Sequence, residues 1–259
     1  MEKTASVNAK NVIMNFSHVY EKEDFYHHAY FQWIDCTDLS GTSCYCTPQA
    51  ANEIRRRILN CPVQGIHFLD SGDYHYVSKF WLEKIKQPFN LLLFDYHSDM
   101  QPPKFPELLS CGCWVKDAID QNPMLQRVCI VGPDEQAFSG IETNYRCRLL
   151  CVSLQALQET ETWEKMRNLK DGLPLYISID KDVLNTYFAR TDWSQGGLSL
   201  TVLEKLLALF ETRCRVIGID ICGECKMDVQ YLLTRQNEEI NNTTNLALLR
   251  FLLRNETIS

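Results

Sequence analysis

A chain of 259 residues, 45% of them hydrophobic and 23% charged, can bury a sizeable core, which excludes a disordered or fibrous protein and predicts a single domain over residues 1–259. The formal net charge of -7 argues against nucleic acid as a partner, because a polyanion is bound through clustered lysines and arginines. No apolar run approaches the roughly 20 residues that a membrane span needs, and the first residues lack the apolar region of a signal peptide. We therefore expect a cytoplasmic protein that does not bind membranes.

Short apolar segments rich in β-branched and aromatic residues recur along the chain and predict strands that are buried on both faces. They are NVIMNF from Asn11, GIHFLD from Gly65, LLLFD from Leu91, VCIVG from Val128, LLCVSL from Leu149, LYISID from Leu175 and RVIGID from Arg215. Helical patterns lie between them, namely PQAANEIRRRIL from Pro48, VSKFWLEKI from Val77, LQALQETETWEKMRNL from Leu154 and SLTVLEKLLALFETR from Ser199. Thr47 and Ser199 are the expected N-caps of the first and last of these helices.

This alternation of strands and helices predicts an α/β fold with three layers, α/β/α, in which helices cover both faces of a mostly parallel central sheet. Ligands of such folds bind beyond the carboxyl ends of the strands. The residues that directly follow each apolar segment are therefore the candidates for function.

Acidic residues follow two of these strands at alternate positions. Asp95, His97 and Asp99 come directly after LLLF, and Asp180 and Asp182 come after LYIS. If the strand conformation continues, alternate side chains point to the same side. Buried carboxylates without a neutralising charge are strongly destabilising, so a cation is expected, and carboxylate with imidazole ligands favours Mn²⁺ over Mg²⁺. The alternative is that these acids only cap helices, and the occurrence of both motifs after strands argues against it.

The twelve cysteines are expected to be free thiols, because the cytosol keeps thiols reduced. Three pairs have the spacing of zinc half-sites: Cys44 with Cys46, Cys111 with Cys113, and Cys222 with Cys225. None has a second pair at the spacing of a zinc finger or ribbon, so structural zinc is not predicted.

Four motifs in this order resemble the ureohydrolase superfamily, which comprises arginase, agmatinase and formiminoglutamase. The family patterns GGDH, DAHxD, SxDxD and PGGLS correspond here to GDYH ending at His75, DYHSD from Asp95, SIDKD from Ser178 and GGLS from Gly196. An acidic strand end with Asp220 and Glu224 follows. In the first motif Tyr74 is an extra residue before His75, and a β-bulge at the strand end would accommodate it. The resemblance extends from about Gly65 to Glu224 and implies an arginase-like fold.

The resemblance implies two Mn²⁺ ions per chain. One would be held by His75, Asp95, Asp99 and Asp180, and the other by His97, Asp95, Asp180 and Asp182. Two ions that share a water lower its pKa towards ~7, which makes it a nucleophile for the guanidinium carbon at neutral pH. By the same resemblance Glu224 orients the substrate guanidinium, and Asp99 and Glu224 are the expected catalytic residues.

The segment SCGCW from Ser110 departs from the family pattern. Enzymes that act on free arginine carry here a segment resembling SGNxHG, which recognises the charged ends of the amino acid. Its absence makes the chain similar to the atypical peptide arginases, which convert arginine side chains of precursor peptides into ornithine. We expect Tyr74 and Trp114 to bind such a substrate, with core packing of these rings as the alternative.

Three alternatives stay open from the sequence. The substrate is an arginine side chain in a peptide, or it is a small guanidine such as free arginine or agmatine, or the protein binds metal without turnover. The sequence is compatible with a homo-oligomer, and it does not identify which peptide or guanidine is bound.

Overall fold

The computed structural model describes residues 11–167, 172–226 and 231–254. The strands of this part of the chain are β1 (Asn11–Asn15), β2 (Phe31–Asp35), β3 (Tyr45–Cys46), β4 (Ile66–Phe68), β5 (Phe89–Phe94), β6 (Leu109–Ser110), β7 (Leu125–Val131), β8 (Leu149–Val152), β9 (Leu175–Asp180) and β10 (Val216–Cys222). The α-helices are α1 (Pro48–Arg57), α2 (Val77–Leu82), α3 (Trp114–Gln121), α4 (Thr160–Arg167), α5 (Leu200–Glu211) and α6 (Tyr231–Arg254).

Eight of the strands form one parallel sheet in the order β2-β1-β4-β10-β9-β5-β7-β8. The chain runs from β5 outward to β7 and β8, returns to β9 beside β5, and then runs the other way to β10. Connections that leave neighbouring strands in opposite directions open a crevice at their carboxyl ends. The crevice between β5 and β9 is therefore where this topology places a ligand site.

Two hydrophobic clusters cover the two faces of the sheet. Leu91 and Leu93 of β5 pack with residues of α1, α2 and α3. Leu92 and Phe94, which alternate with them, pack with residues of α4, α5 and α6. The predicted three-layer α/β/α fold is confirmed, and every strand of its sheet is parallel.

All seven predicted strands are present. The segments that the sequence analysis missed are β2, the short antiparallel pair of β3 and β6, and the helices α3 and α6. β2 is an edge strand with mostly exposed side chains, so it lacks the apolar pattern of the buried strands. The helix predicted from Leu154 begins only at Thr160, after a 3₁₀ turn at Ala156–Gln158.

Both predicted N-caps are confirmed. The Thr47 hydroxyl accepts a hydrogen bond from the Ala50 amide at 3.2 Å, and the Ser199 hydroxyl accepts one from the Val202 amide at 3.3 Å.

None of the described helices has the length and apolar character that crossing a membrane requires.

Truncation of a side chain on α5 tests how much the hydrophobic cluster around Leu92 and Phe94 contributes to stability. Leu206→Ala removes a fully buried side chain and is expected to lower the free energy of unfolding by about 2–5 kcal/mol, through lost burial and a residual cavity. Leu209→Ala, on the partly exposed side of the same helix, is the control and should cost clearly less. Urea denaturation followed by circular dichroism measures both, and equal losses would contradict this assignment of the helix faces.

Candidate metal centre

A cavity of about 330 Å³ opens at the carboxyl ends of β5 and β9. Its lining includes all six residues predicted from the sequence as metal ligands: His75, Asp95, His97, Asp99, Asp180 and Asp182. The four aspartates among them are each at most 5% exposed. The structure thus brings together residues from three separate segments of the chain.

The loop after β5 differs from the expected extended conformation. β5 ends at Phe94, and Asp95 starts a tight turn in which its Oδ1 accepts a hydrogen bond from the His97 amide at 2.5 Å. Asp99 then adopts a left-handed backbone with φ 50°, a conformation that aspartate tolerates better than most residues. The three side chains reach one cavity through this turn, and not through strand alternation as the sequence suggested.

The loop after β9 repeats this local geometry. Asp180 ends the strand, and its Oδ1 accepts a hydrogen bond from the Asp182 amide at 2.9 Å as a 3₁₀ turn over Lys181–Val183 begins. Asp182 Oδ1 in turn accepts a hydrogen bond from the Tyr96 amide at 2.8 Å. This bond joins the two acidic loops and fixes the spacing between them.

His75 reaches the site from a 3₁₀ turn at Gly72–Tyr74, and not from the β-bulge that the sequence suggested. Its Nδ1 lies 3.1 Å from Asp95 Oδ2, 3.2 Å from Asp99 Oδ2 and 3.5 Å from Asp180 Oδ2. Its Nε2 lies 2.9 Å from the oxygen of Ser178, whose hydroxyl donates to Asp220 at 2.6 Å. Because the Ser178 proton is engaged by Asp220, its oxygen accepts from Nε2, and this arrangement directs the Nδ1 lone pair towards the carboxylates.

His97 is held in the same manner on the opposite side of the cavity. Its Nδ1 lies 2.8 Å from Asp182 Oδ2 and 3.4 Å from Asp95 Oδ1, and its Nε2 lies 2.9 Å from the Ser194 hydroxyl. The two oxygens of Asp95 therefore face the two histidines separately. That arrangement is the one a carboxylate needs to bridge two ions.

The electrostatics of the cavity favour a bound cation. Burial, and then the charges of Asp182 and Asp95, raise the pKa of Asp180 to about 7. Burial and Asp95 raise the pKa of Asp182 to about 6. Burial alone would lower the pKa of His97, but its bonds to Asp182 and Asp95 raise it to about 11. Protons or metal ions must neutralise these carboxylates, and the mixture of carboxylate and imidazole donors fits divalent metal ions.

The ligand atoms separate into groups that each fit one ion. Donor atoms of His75, Asp95 and Asp99 lie within 4.8 Å of one another, as do those of Asp95, His97 and Asp182. A further group consists of His75, Asp180 and Cys222. The sequence analysis considered Cys222 only as half of a zinc-spaced pair with Cys225, and not as a ligand beside His75 and Asp180.

Trp114 and Tyr74, both predicted to bind substrate, do not line the cavity. Trp114 is fully buried, and its indole Nε1 donates to Asp99 Oδ2 at 2.6 Å while its ring lies 4.9 Å from that of His75. Tyr74 is stacked on Phe16 with ring centroids 4.3 Å apart. Both rings pack in the core, as the alternative interpretation held, and Trp114 supports a predicted ligand.

Glu224 also lies outside the cavity lining. It is fully buried, and its Oε1 accepts hydrogen bonds from the ammonium of Lys181 and from Asn245 Nδ2. A charge partner from the protein therefore occupies Oε1 of the carboxylate that was expected to orient the substrate guanidinium, whereas Oε2 has no hydrogen-bond partner among the described residues. The role of Glu224 in orienting a substrate stays a prediction.

Two of the cysteine pairs with zinc spacing lie next to each other, because β3 pairs with β6 and the Cys111 amide donates to the Cys44 carbonyl at 3.0 Å. All twelve cysteines fall within the described residues, and none of them forms a disulfide there. No candidate ligand group among the described residues contains two cysteines.

A parallel sheet with helices on both faces and a cluster of aspartates and histidines at the strand ends defines an α/β protein with a candidate dinuclear metal centre. Residues 8–226 match the sequence model of the arginase family, so the chain belongs to that family. Arginase-family enzymes hydrolyse C–N bonds of amidine and guanidine groups, typically with a dinuclear metal centre.

Other similarities agree with this family. An uncharacterised protein of Thermotoga maritima is 29% identical over 236 residues, which cover 91% of this chain and 88% of that protein. Formimidoylglutamase from Bacillus subtilis has a TM-score of 0.67 at 13% identity, covering 100% of this chain and 90% of its own. Proclavaminate amidino hydrolase from Streptomyces clavuligerus has a TM-score of 0.65 at 14% identity, covering 92% and 91%. At such identities the solved structures show a shared fold.

Metal analysis tests the predicted bridging residues. Purified protein loaded with divalent metal is expected to hold close to two ions per chain. Asp95→Ala and Asp180→Ala should each bind less than half of that amount, because Asp95 lies near both histidines and Asp180 lies near His75 and interacts with Asp95 and Asp182. Asp134→Ala is the control, since Asp134 follows β7 at the same edge of the sheet but belongs to no ligand group. Full metal content in either ligand variant would contradict the dinuclear site.

The indole of Trp114 allows a second test. Trp114→Phe keeps an aromatic ring but removes the donor to Asp99, so metal affinity at the His75 side should fall by about 10–100-fold. Trp81→Phe is the matched control, because Trp81 is equally buried and its Nε1 has no hydrogen-bond partner among the described residues. Isothermal titration with metal measures both variants. Equal affinities would show that the bond to Asp99 does not tune the site.

Proposed function

We propose that this chain hydrolyses the C–N bond of a guanidinium or amidine group with two divalent ions, and that Mn²⁺ is the ion its carboxylate and imidazole ligands favour. The observation that carries the proposal is the convergence of His75, His97 and four aspartates on one cavity. When bound, the two ions supply a water whose pKa is lowered towards ~7.

The protein residues hold and orient this centre. Ser178 and Ser194 each fix one histidine ring, so that both Nδ1 atoms face the carboxylates. Asp95 presents one oxygen to each histidine, which supports its role as a bridging ligand. We assign to Asp99 the acceptance of a proton from the attacking water, because it lines the cavity and is held in place by Trp114.

The proposed substrate is an arginine side chain within a peptide. Ser110, Cys111 and Gly112 line the cavity where the free-arginine enzymes carry the segment that recognises charged ends. Trp193 lines the cavity and is 39% exposed, and Phe105, which is 53% exposed, lies against the cavity residue Tyr45. Exposed aromatic rings at the opening offer contact area to the residues that flank the arginine.

A second candidate substrate is a small guanidine or amidine that carries a carboxylate. Two observations favour it. Lys104 lines the cavity and can pair with an anionic group. Among the described residues, the cavity lining contains no carboxylate besides the four aspartates of the predicted ligand set, and Glu224 is paired with Lys181.

Mass spectrometry separates these candidates. Conversion of arginine to ornithine in a peptide lowers the peptide mass by about 42 units through release of urea. The protein is incubated with arginine peptides, free arginine, agmatine and 4-guanidinobutyrate, and urea is measured in parallel. Peptide conversion with the highest kcat/KM supports the first candidate, whereas preference for 4-guanidinobutyrate over agmatine supports the second. Two bound ions without urea from any compound would indicate a metal-binding protein without turnover.

Lys104→Gln gives an independent check of the second candidate. It should raise KM for 4-guanidinobutyrate and leave KM for agmatine nearly unchanged, because agmatine has no carboxylate to pair with the lysine. The same change in KM for both compounds would show that Lys104 does not recognise the substrate carboxylate.

A further inference from the structure

Cys222 is a potential metal ligand that the family resemblance does not supply. It is the last residue of β10 and is fully buried. Its Sγ lies 3.3 Å from Asp180 Oδ2, and donor atoms of Cys222, Asp180 and His75 all lie within 4.8 Å of one another. A nitrogen, an oxygen and a sulfur donor thus meet at the base of the candidate centre.

The backbone places this thiol by sheet pairing. Cys222 is opposite Asp180 in the parallel register of β10 and β9. Gly223 follows with φ +93°, and a Cβ at that position would lie 2.4 Å from Asp180 Oδ1. Only glycine allows the chain to turn this closely against the carboxylate. Asp220, two residues earlier, holds Ser178 and through it His75.

Two of the three separations between these donors fit a common ion, and the third, between His75 and Cys222, is at most 4.8 Å. Donor atoms that lie about 2.0–2.3 Å from one ion in tetrahedral geometry are roughly 3–4 Å apart. Asp180 Oδ2 is 3.3 Å from Cys222 Sγ and 3.5 Å from His75 Nδ1. His75 belongs to two candidate ligand groups. In one its partners are the oxygens of Asp95 and Asp99, and in the other they are an oxygen of Asp180 and the sulfur of Cys222.

We propose that Cys222, as a thiolate, binds the ion at His75 together with Asp180. This inference rests on the metal centre of the proposed function and makes its two positions chemically different. The His97 position has only nitrogen and oxygen donors, which suit Mn²⁺, whereas a thiolate favours softer ions such as Zn²⁺ or Fe²⁺. The centre is then mixed, with a softer ion at His75. The thiol proton is released to solvent when the ion binds.

X-ray absorption spectroscopy tests the bond directly on the intact wild-type protein. Zinc-loaded protein is expected to show a sulfur scatterer at about 2.3 Å. Cobalt-loaded protein should show an intense near-ultraviolet charge-transfer band from thiolate to metal. A zinc spectrum with nitrogen and oxygen scatterers alone, in protein that holds close to two ions, would overturn the proposal even if no variant folds.

Substitution identifies the thiol. Cys222→Ser should abolish the cobalt band and weaken zinc binding by at least about tenfold, while manganese binding changes little. Cys129→Ser is the control for loss of a buried thiol, because Cys129 lies in β7 and belongs to no ligand group. Circular dichroism confirms that each variant is folded. Retention of the band in folded Cys222→Ser would reject Cys222 as the ligand.

These measurements do not depend on turnover. A thiolate band in protein that hydrolyses no guanidine supports the ligand and contradicts the proposed function. Hydrolysis in protein without metal–sulfur scattering supports the function and contradicts the ligand.

Discussion

The mutual repulsion of four buried carboxylates is the constraint around which this structure is built. Asp95, Asp99, Asp180 and Asp182 meet at one edge of the sheet, where burial raises the pKa of two of them. Backbone amides of the two acidic loops and the indole of Trp114 donate hydrogen bonds to these oxygens. These contacts reduce the repulsion, and divalent ions would neutralise it.

Much of the architecture could be predicted because it depends on local pattern. Strands buried on both faces require continuous apolar segments, and the parallel sheet then places every strand end at one edge. The acidic motifs after β5 and β9 therefore had to meet, and the structure brings all six predicted ligands to one cavity. Elements without such a pattern were missed, including the exposed edge strand β2 and α6, whose first half is rich in polar residues.

The direction of individual side chains could not be predicted, because it depends on partners far away in sequence. Trp114 turns inward to reach Asp99, and Tyr74 turns towards Phe16. Glu224 is paired with Lys181, which occupies a position that the motif SxDxD leaves unspecified. Family motifs specify where a side chain starts on the backbone, and the surrounding residues decide what it contacts. The six predicted ligands reach one cavity because carboxylates and imidazoles of one charge cluster constrain one another, and their binding of metal stays a prediction.

The pairing of Lys181 with Glu224 has a consequence for how this sequence can change over evolution. Both side chains are fully buried, and loss of either would leave the other as an uncompensated charge in the core, which is far more destabilising than loss of the pair. The two positions are therefore expected to covary among relatives. Where the residue between the two aspartates is uncharged, we expect the acid at the position of Glu224 to be free to face the cavity. Relatives with a lysine at this position would then keep the carboxylate for the fold, and relatives without one would leave it for the substrate.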